Sequence, residues 1–177
     1  MAGRTRAGFE ELVHGRSPAL RRTAYLLVGD RGLADDLLQE ALVKTYVAWP
    51  RLRDQGAAEA YCRKAIVTTA ISWWRRRSWS ERPTDELVEN GVAVDGTATE
   101  RADTRAWMWA ELAKLPPRQR AAVVLRFYDD LSVAEVAAVL NCSEGTVKSQ
   151  VHDALNKLRA ALGPDARTAW DREVSAR

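Results

Sequence analysis

The sequence predicts an all-α protein built as two small helical domains that are joined by a flexible acidic linker. Apolar residues recur at helical spacing in both halves of the chain, and this pattern disappears in the stretch between them. A chain of 177 residues is also long enough for two helical domains, each with a modest core. We expect the first domain over 1–80, the linker over 81–104, the second domain over 105–163 and a short tail over 164–177.

Three helices are predicted in the first domain. The first runs from Phe9 to Val28 and ends at turn residues 29–32, and the second begins near Leu33. The second helix carries apolar residues at i, i+3, i+4 and i+7 until Pro50 interferes. The third covers about 57–77 and ends in two tryptophans and three arginines. The domain therefore combines an amphipathic helix with a helix whose end is cationic and aromatic.

Acidic residues dominate the predicted linker, which also contains Pro83, Gly91 and Gly96 and lacks an apolar period. Its acidic residues are Glu81, Asp85, Glu86, Glu89, Asp95, Glu100 and Asp103, against Arg82 and Arg101. The net charge of the whole chain is only +3, so strong affinity for nucleic acid requires local clusters of positive charge. We therefore expect such clusters within the helical domains.

A helix-turn-helix is predicted near the end of the second domain, after helices over 105–115 and 117–128. The segment 131–162 has apolar residues at helical spacing on both sides of a break at 141–143. Ser143 can cap the second of these helices, and the exposed start of that helix can then meet the base edges of duplex DNA. A plain helical hairpin has the same apolar spacing, but cationic and hydrogen-bonding side chains along the second helix favour DNA binding.

A cluster of aromatic and basic residues marks the third helix of the first domain. Its members are Tyr61, Arg63, Lys64, Trp73, Trp74, Arg75, Arg76, Arg77 and Trp79. Aromatic rings stack on unpaired bases while cations hold phosphates, so this cluster favours single-stranded DNA. In the alternative interpretation, Trp73 or Trp74 packs the helix against its neighbours and the arginines balance the helix dipole.

Asp35, Asp36 and Glu40 form an acidic cluster near the start of the second helix. Asp36 and Glu40 are one helical turn apart and could hold Mg²⁺ in a nuclease, but no further carboxylate or histidine motif completes such a site. A basic partner surface is the preferred interpretation. We therefore expect that the chain is not an enzyme and needs no metal or cofactor.

Two further features bear on the location of the protein. Cys62 and Cys142 lie in different predicted domains, and we interpret both as reduced thiols, with a disulfide between them as the alternative. No stretch reaches the roughly 20 apolar residues of a membrane span, and the first residues do not form a signal peptide. We expect a cytoplasmic protein.

Four segments resemble, in the same order along the chain, those of bacterial extracytoplasmic-function sigma factors of RNA polymerase, most closely the actinobacterial SigE type. They are ADDLLQEA at 34–41, the helix over 61–77, LPPRQR at 115–120 and GTVKS at 145–149. The resemblance covers nearly the whole chain and implies sigma region 2 in the first domain and sigma region 4 in the second. It implies a subunit that binds core polymerase, recognises the -35 and -10 promoter elements and stabilises the melted -10 strand.

The resemblance also implies three sets of functional residues. Those expected to bind core polymerase are Asp35, Asp36, Gln39 and Glu40. Those expected at -10 DNA are Tyr61, Lys64, Thr68, Trp73, Trp74, Arg75, Arg76 and Arg77. Those expected at -35 DNA are Arg118, Arg120, Glu144, Thr146, Lys148, Ser149 and Gln150, with the two arginines on flanking phosphates. The implied partners are the clamp helices and flap of core bacterial RNA polymerase, promoter DNA in double-stranded and melted form, and an anti-sigma factor.

Three positions depart from the family pattern. Thr68 and Ser72 stand where Asn and Asp are frequent, and Asp153 stands where Arg is frequent. A carboxylate at position 153 would repel a phosphate, so upstream binding is expected to be weaker or differently placed. The rival functions are a stand-alone helix-turn-helix regulator, which has no need of the DDLLQE helix, and a metal-dependent nuclease.

Overall fold

The described part of the chain consists of seven α-helices and short turns. The computed structural model describes residues 6–80 and 108–162, with the side chains of the first range described up to Arg76. The helices are α1 (Arg6–Val28), α2 (Arg31–Ala48), α3 (Gln55–Ser80), α4 (108–114), α5 (Pro117–Val123), α6 (Val133–Leu140) and α7 (Glu144–Ala161). No strand occurs in these two ranges, so the predicted all-α class is confirmed. The predicted linker over 81–104 and tail over 164–177 lie outside the described residues.

Local sequence explains where the first helices end and begin. Gly29 adopts a φ of 77°, which favours glycine, and its N–H donates to the carbonyl of Tyr25 at 2.8 Å, closing α1. Asp30 then caps α2 by accepting a hydrogen bond from the N–H of Leu33 at 2.8 Å. Pro50 lies in a 3₁₀ turn after α2, as its lack of an N–H predicts.

The N-terminal unit, residues 6–80, is a bundle of three helices around an apolar core. Leu20 of α1, Leu37 of α2 and Ile66 of α3 are among its fully buried side chains. A smaller cluster of Leu12, Trp49 and Ala58 closes the end of the bundle where α2 turns into α3. These positions follow the helical spacing of the sequence.

The C-terminal unit, residues 108–162, contains three short helices and the 18-residue α7, and the ends of α6 and α7 are well defined. Ser132 and Glu135 form a reciprocal capping box at the start of α6. Asn141 ends α6 in the left-handed conformation with φ 51°, and Ser143 caps α7 by accepting from the N–H of Thr146 at 3.1 Å. The predicted helix-turn-helix and the predicted role of Ser143 as N-cap are confirmed.

The helix predicted over 117–128 changes character in its second half. After α5 the chain continues as a π-helical turn, Val124–Tyr128. The N–H of Asp129 donates to the carbonyl of Val124, five residues earlier, at 3.1 Å. Single π turns of this kind are frequent at functional sites. Here the turn leads directly to Asp129, whose side chain contacts the N-terminal unit.

The two units pack directly against each other. One cluster of buried side chains extends from Leu20 and Ile66 of the N-terminal unit to Leu125 and Val147 of the C-terminal unit. The sequence predicts a core in each domain, and the structure adds this common core. Helical spacing identifies the buried face of a helix but not the helix that covers it. Within the described ranges, no helix is long and apolar enough to cross a membrane.

Candidate functional site

One exposed face of α2 combines acidic and apolar side chains, and we call it the α2 face. Asp36 and Gln39 are exposed, and the same stripe of the helix continues to Val43 and Val47, which are 64% and 74% exposed. Glu40, half-buried beside them, forms an ion pair with Lys44 at 2.7 Å. Exposed apolar side chains grouped beside charges are typical of a protein-binding surface.

Asp35 lies to one side of the α2 face. Its carboxylate forms an ion pair with Arg21 of α1 at 2.9 Å. Within the described ranges, no three acidic, histidine or cysteine side chains are grouped so that they could hold a metal ion. The carboxylate of Asp35 therefore already has a basic partner within the chain.

A polar stripe follows the exposed side of α3, and we call it the α3 stripe. It contains Tyr61, Lys64 and Thr68, which are exposed and lie about one helical turn apart, and it reaches Arg75. The hydroxyl of Thr68 donates to the carbonyl of Lys64 at 2.8 Å. Arg76 donates to the hydroxyl of Ser72 at 3.2 Å. The predicted -10 residues on this side are thus brought together, whereas the side chain of Arg77 lies outside the described residues.

Trp73 and Trp74 occupy different environments from the α3 stripe. Trp73 is half-buried and packs against the common core. Trp74 is half-buried beneath Arg120, whose guanidinium carbon lies 5.1 Å from the centroid of the indole ring. Both rings also line a groove of about 400 Å³ with Val28, Leu33, Asp36 and Arg76. In the structure, Trp73 and Trp74 therefore pack against neighbouring parts of the protein, as the alternative interpretation predicts.

The start of α7 forms an exposed edge, which we call the α7 edge. Glu144, Thr146, Lys148 and Ser149 are exposed there, while Gln150 is half-buried. The hydroxyls of Thr146 and Ser143 lie 2.9 Å apart and share a hydrogen bond. Asp153 is exposed one turn further along the helix, so its negative charge is also presented to solvent.

The two arginines predicted to hold phosphates differ in their exposure to solvent. Arg118 is exposed, as that role requires. Arg120 is only 4% exposed and donates hydrogen bonds to the carbonyls of Leu112, Ala113 and Leu115. Burial lowers the pKa of Arg120 to about 10, so the side chain is still charged at neutral pH. The interpretation of Arg120 as a phosphate contact is corrected, because its donors are used inside the protein.

A polar cluster lies between the two units, and the sequence did not predict it. Thr23 of α1 donates to the carboxylate of Asp129 at 2.8 Å, and Arg63 of α3 lies 3.4 Å from the other oxygen of that carboxylate. Desolvation raises the pKa of Asp129, although Thr23 and Arg63 oppose the shift. Arg63 also pairs with Glu59 at 2.9 Å. The sequence places Arg63 in the aromatic and basic cluster, but no local pattern marks Thr23, Asp129 or Glu59 as its neighbours.

The two cysteines lie in different units and do not form a disulfide bond. Cys62 is buried in the N-terminal unit and Cys142 is half-buried in the turn of the helix-turn-helix, and both are free thiols. Burial raises the pKa of Cys62, which disfavours the reactive thiolate. The predicted reduced state of both residues agrees with this arrangement.

Comparison with known proteins places both units in one family. The model of sigma-70 region 2 matches residues 12–80, and that of sigma-70 region 4 matches residues 105–158. The RNA polymerase sigma-E factor of Streptomyces avermitilis is 44% identical over 154 residues, which cover 87% of this chain and 84% of the relative. The ECF RNA polymerase sigma factor SigM of Mycobacterium tuberculosis is 30% identical over 158 residues, 89% of this chain and 79% of the relative.

A solved structure supports the same assignment. The sigma factor RpoE of Bartonella quintana, in complex with the anti-sigma factor NepR, matches with a TM-score of 0.67 and 25% identity. The match covers 86% of this chain and 94% of that one. Together with the sequence matches, it shows that this chain belongs to the sigma-70 family of RNA polymerase sigma factors, in the extracytoplasmic-function group.

Proposed function

We propose that the protein is a promoter-specificity subunit of bacterial RNA polymerase. The N-terminal unit binds core polymerase and the melted -10 strand, and the C-terminal unit reads the -35 element. The protein acts in the cytoplasm, where polymerase and DNA are found, and contributes binding energy rather than bond chemistry. Capture of an unpaired base offsets the few kcal/mol lost when that base leaves the stack.

The α2 face is the observation that carries this proposal. A stand-alone helix-turn-helix regulator needs a DNA-reading edge, and the α7 edge would serve it equally well. Such a regulator has no use for exposed Val43 and Val47 beside Asp36 and Gln39. These side chains fit a basic partner surface with an apolar centre, such as the clamp helices of core polymerase.

Polymerase binding is tested by replacing one acidic and one apolar residue of the α2 face with lysine. Asp36→Lys and Val43→Lys each place a cation on the α2 face, and we expect about tenfold weaker binding to core polymerase, equivalent to about 1.4 kcal/mol. Run-off transcription should fall in parallel. Glu10→Lys is the matched control, because Glu10 is an exposed acid of α1 in a surface pair with Arg6. Equal binding by all four proteins would exclude the α2 face as the polymerase-binding surface, and absence of binding by the wild type would overturn the proposal in favour of a stand-alone regulator.

The α3 stripe is the proposed support for the melted -10 strand. Lys64 and Arg75 can hold phosphates, and Tyr61 offers an exposed aromatic ring to a base. Tyr61→Ala should slow the opening of promoter DNA by holoenzyme, measured as permanganate reactivity of unpaired thymines, while leaving polymerase binding unchanged. Wild-type opening by this variant would exclude Tyr61 from the strand-binding set.

The α7 edge is the proposed reader of the -35 element. Lys148→Ala should weaken binding by a similar factor on all promoters and reduce the salt dependence, as expected for loss of a phosphate contact. Glu144→Ala should instead change which upstream bases are selected from a random pool, because a carboxylate can accept from cytosine N4. Unchanged selection of upstream bases would show that Glu144 does not read the -35 sequence.

Regulation by a second protein follows from the similarity to RpoE. That sigma factor is found in complex with an anti-sigma factor. We propose that this chain also has such a partner. Capture of an anti-sigma protein by the purified chain, with loss of run-off transcription, would support this, and full transcription in the presence of every candidate from its own genome would oppose it.

A further inference from the structure

One lysine of α2 bridges to α3 between the α2 face and the α3 stripe. The ammonium of Lys44 donates to the carboxylate of Glu40, one turn earlier in α2, at 2.7 Å. It also donates to the hydroxyl of Thr69 in α3 at 2.8 Å. Thr69 is buried, whereas the side chains of Lys44 and Glu40 are 46% and 41% exposed. The ammonium therefore lies at the surface, where the two helices meet.

The contact with Thr69 places this ammonium at the edge of the α3 stripe. Thr69 directly follows Thr68, an exposed member of the stripe. Ser72 and Arg76 come three and seven residues after Thr69, so these three residues share one side of α3. Arg76, which donates to Ser72, is one of the predicted -10 residues. This side of α3 therefore carries a cation at the level of Thr69 and another at Arg76, about 10 Å apart by helical rise.

The charge of Lys44 does not suit the partner proposed for the α2 face. A basic partner surface is repelled by a cation and attracted by the acidic residues around it. The hydrogen bond to Thr69 holds the ammonium over α3, away from such a partner. A purely structural bridge between the helices would gain little, because exposed ion pairs contribute little to stability. The position of Lys44 is better explained by a ligand of α3.

We propose that Lys44 is a further phosphate-binding residue for the melted -10 strand, and that Glu40 neutralises its charge in the free chain. An ammonium has three donors, and Glu40 and Thr69 accept from it at two points, so a phosphate oxygen can be bound without breaking either contact. The inference rests on the proposed function, because it assumes that the α3 stripe holds the melted strand. It extends the strand-binding surface from α3 to α2.

Glu40 belongs to two proposed interactions at once. Its carboxylate is the counter-ion of Lys44, and it is also expected to bind core polymerase. A basic group of polymerase that pairs with Glu40 competes with Lys44 for this carboxylate. The ammonium then presents more of its charge to a phosphate. Through this one carboxylate, polymerase binding and strand binding favour each other.

The first experiment measures the salt dependence of strand binding by holoenzyme, formed with a saturating amount of the chain. The probe is a fluorescein-labelled single strand that carries a -10 sequence selected with holoenzyme, followed by fluorescence anisotropy. Lys44→Gln keeps a donor for Thr69 but removes the charge, whereas Lys44→Arg keeps the charge. Lys114→Gln is the matched control, because Lys114 is an exposed lysine of the C-terminal unit that pairs with Glu111 at 2.6 Å.

Lys44→Gln should lower the slope of log affinity against log salt by about 0.7, the value for one phosphate contact with a single strand. The same contact corresponds to about fivefold weaker binding at about 0.1 M salt. Lys44→Arg and Lys114→Gln should keep the slope and affinity of the wild type. Circular dichroism of each free variant verifies that the helices are intact.

The second experiment uses the free full-length chain and the same probe. Glu40→Gln should strengthen strand binding by about two- to fivefold, the range that measured exposed ion pairs allow. Adding Lys44→Gln to this variant should abolish the gain. Glu10→Gln is the matched control and should have no effect, because Glu10 pairs with Arg6 at the surface of α1.

Several results would overturn the proposal. An unchanged salt slope in Lys44→Gln holoenzyme would show that Lys44 binds no phosphate, even if the variant is less stable. Equal losses in Lys44→Arg and Lys44→Gln would assign the effect to the geometry of the bridge instead of its charge. In the free chain, no gain with Glu40→Gln, including no measurable binding by any form, would exclude the neutralising role of Glu40, as would a gain that survives Lys44→Gln. Failure of the proposed function is distinct, since it is detected as absence of core-polymerase binding by the wild-type chain.

Discussion

The two units place their functional surfaces by different physical means. In the N-terminal unit, α2 and α3 are helices of 18 and 26 residues held by a large apolar core, and their functional faces are stripes along rigid helices. In the C-terminal unit, α5 and α6 have 7 and 8 residues, and capping side chains define where α6 and α7 begin. Short helices gain little stability from their own backbone, so single caps have more influence there.

The largest expected effect is in the core of the N-terminal unit. Ile66→Ala creates a cavity at a position with no exposure, and we expect a loss of about 2–5 kcal/mol in the free energy of unfolding. Urea denaturation followed by circular dichroism measures it. Lys64→Ala, at an exposed position of the same helix, should change stability by less than about 0.5 kcal/mol. Similar losses for both variants would contradict the view that the core supports this unit.

A smaller effect is expected at the cap of α7. Ser143→Ala removes the acceptor for the N–H of Thr146, at a cost of about 1 kcal/mol. The loss should be local, seen as faster hydrogen exchange of the first-turn amides of α7 and as weaker -35 binding. Ser149→Ala, on the same helix but without a cap role, should leave exchange unchanged. Equal exchange in both variants would mean that tertiary packing alone places the α7 edge.

The features that depend on neighbouring residues could be predicted from the sequence. The stop at Gly29, the cap at Ser143 and the break after α2 all arise from local backbone chemistry. The acidic part of the α2 face was also recognisable from charge. The apolar part of this face, Val43 and Val47, could not be recognised, because both residues fall outside the predicted apolar stripe. Only the structure shows that nothing in the described ranges covers them.

The polar contacts between the two units could not be predicted, because their partners are distant in sequence. Thr23 and Asp129 are 106 positions apart, and neither stands in a recognisable pattern. Arg120 belongs to the LPPRQR segment, and the family resemblance of that segment implies an exposed phosphate contact. Its burial depends on main-chain carbonyls and one indole ring, which only the fold brings together. Charge in a sequence therefore does not reveal whether a cation faces DNA or the interior.

A still smaller effect is expected at the turn between α6 and α7. Asn141 has φ 51°, a left-handed conformation that Asn and Gly tolerate better than other residues. Asn141→Ala should cost up to about 1 kcal/mol, whereas Asn141→Gly should remain near the wild type. Thermal unfolding of the two variants measures the difference. Identical midpoints would show that the turn conformation adds nothing to the placement of α7.

The smallest expected effect is a pH dependence of folding stability at the capping box of α6. The hydrogen bond with the Ser132 side chain, followed by that with the Ser132 backbone, holds the pKa of Glu135 below its ordinary value of about 4.5. A lowered carboxyl pKa stabilises the folded state above the ordinary value, and this contribution is lost as the pH falls through the folded pKa. Glu135→Gln keeps an acceptor for the backbone N–H but cannot titrate, so its stability should fall less than that of the wild type between about pH 5 and pH 3. NMR titration of Glu135 tests the cause directly: in Ser132→Ala its pKa should rise towards the ordinary value, and an unchanged pKa would remove the capping box as the source of the effect.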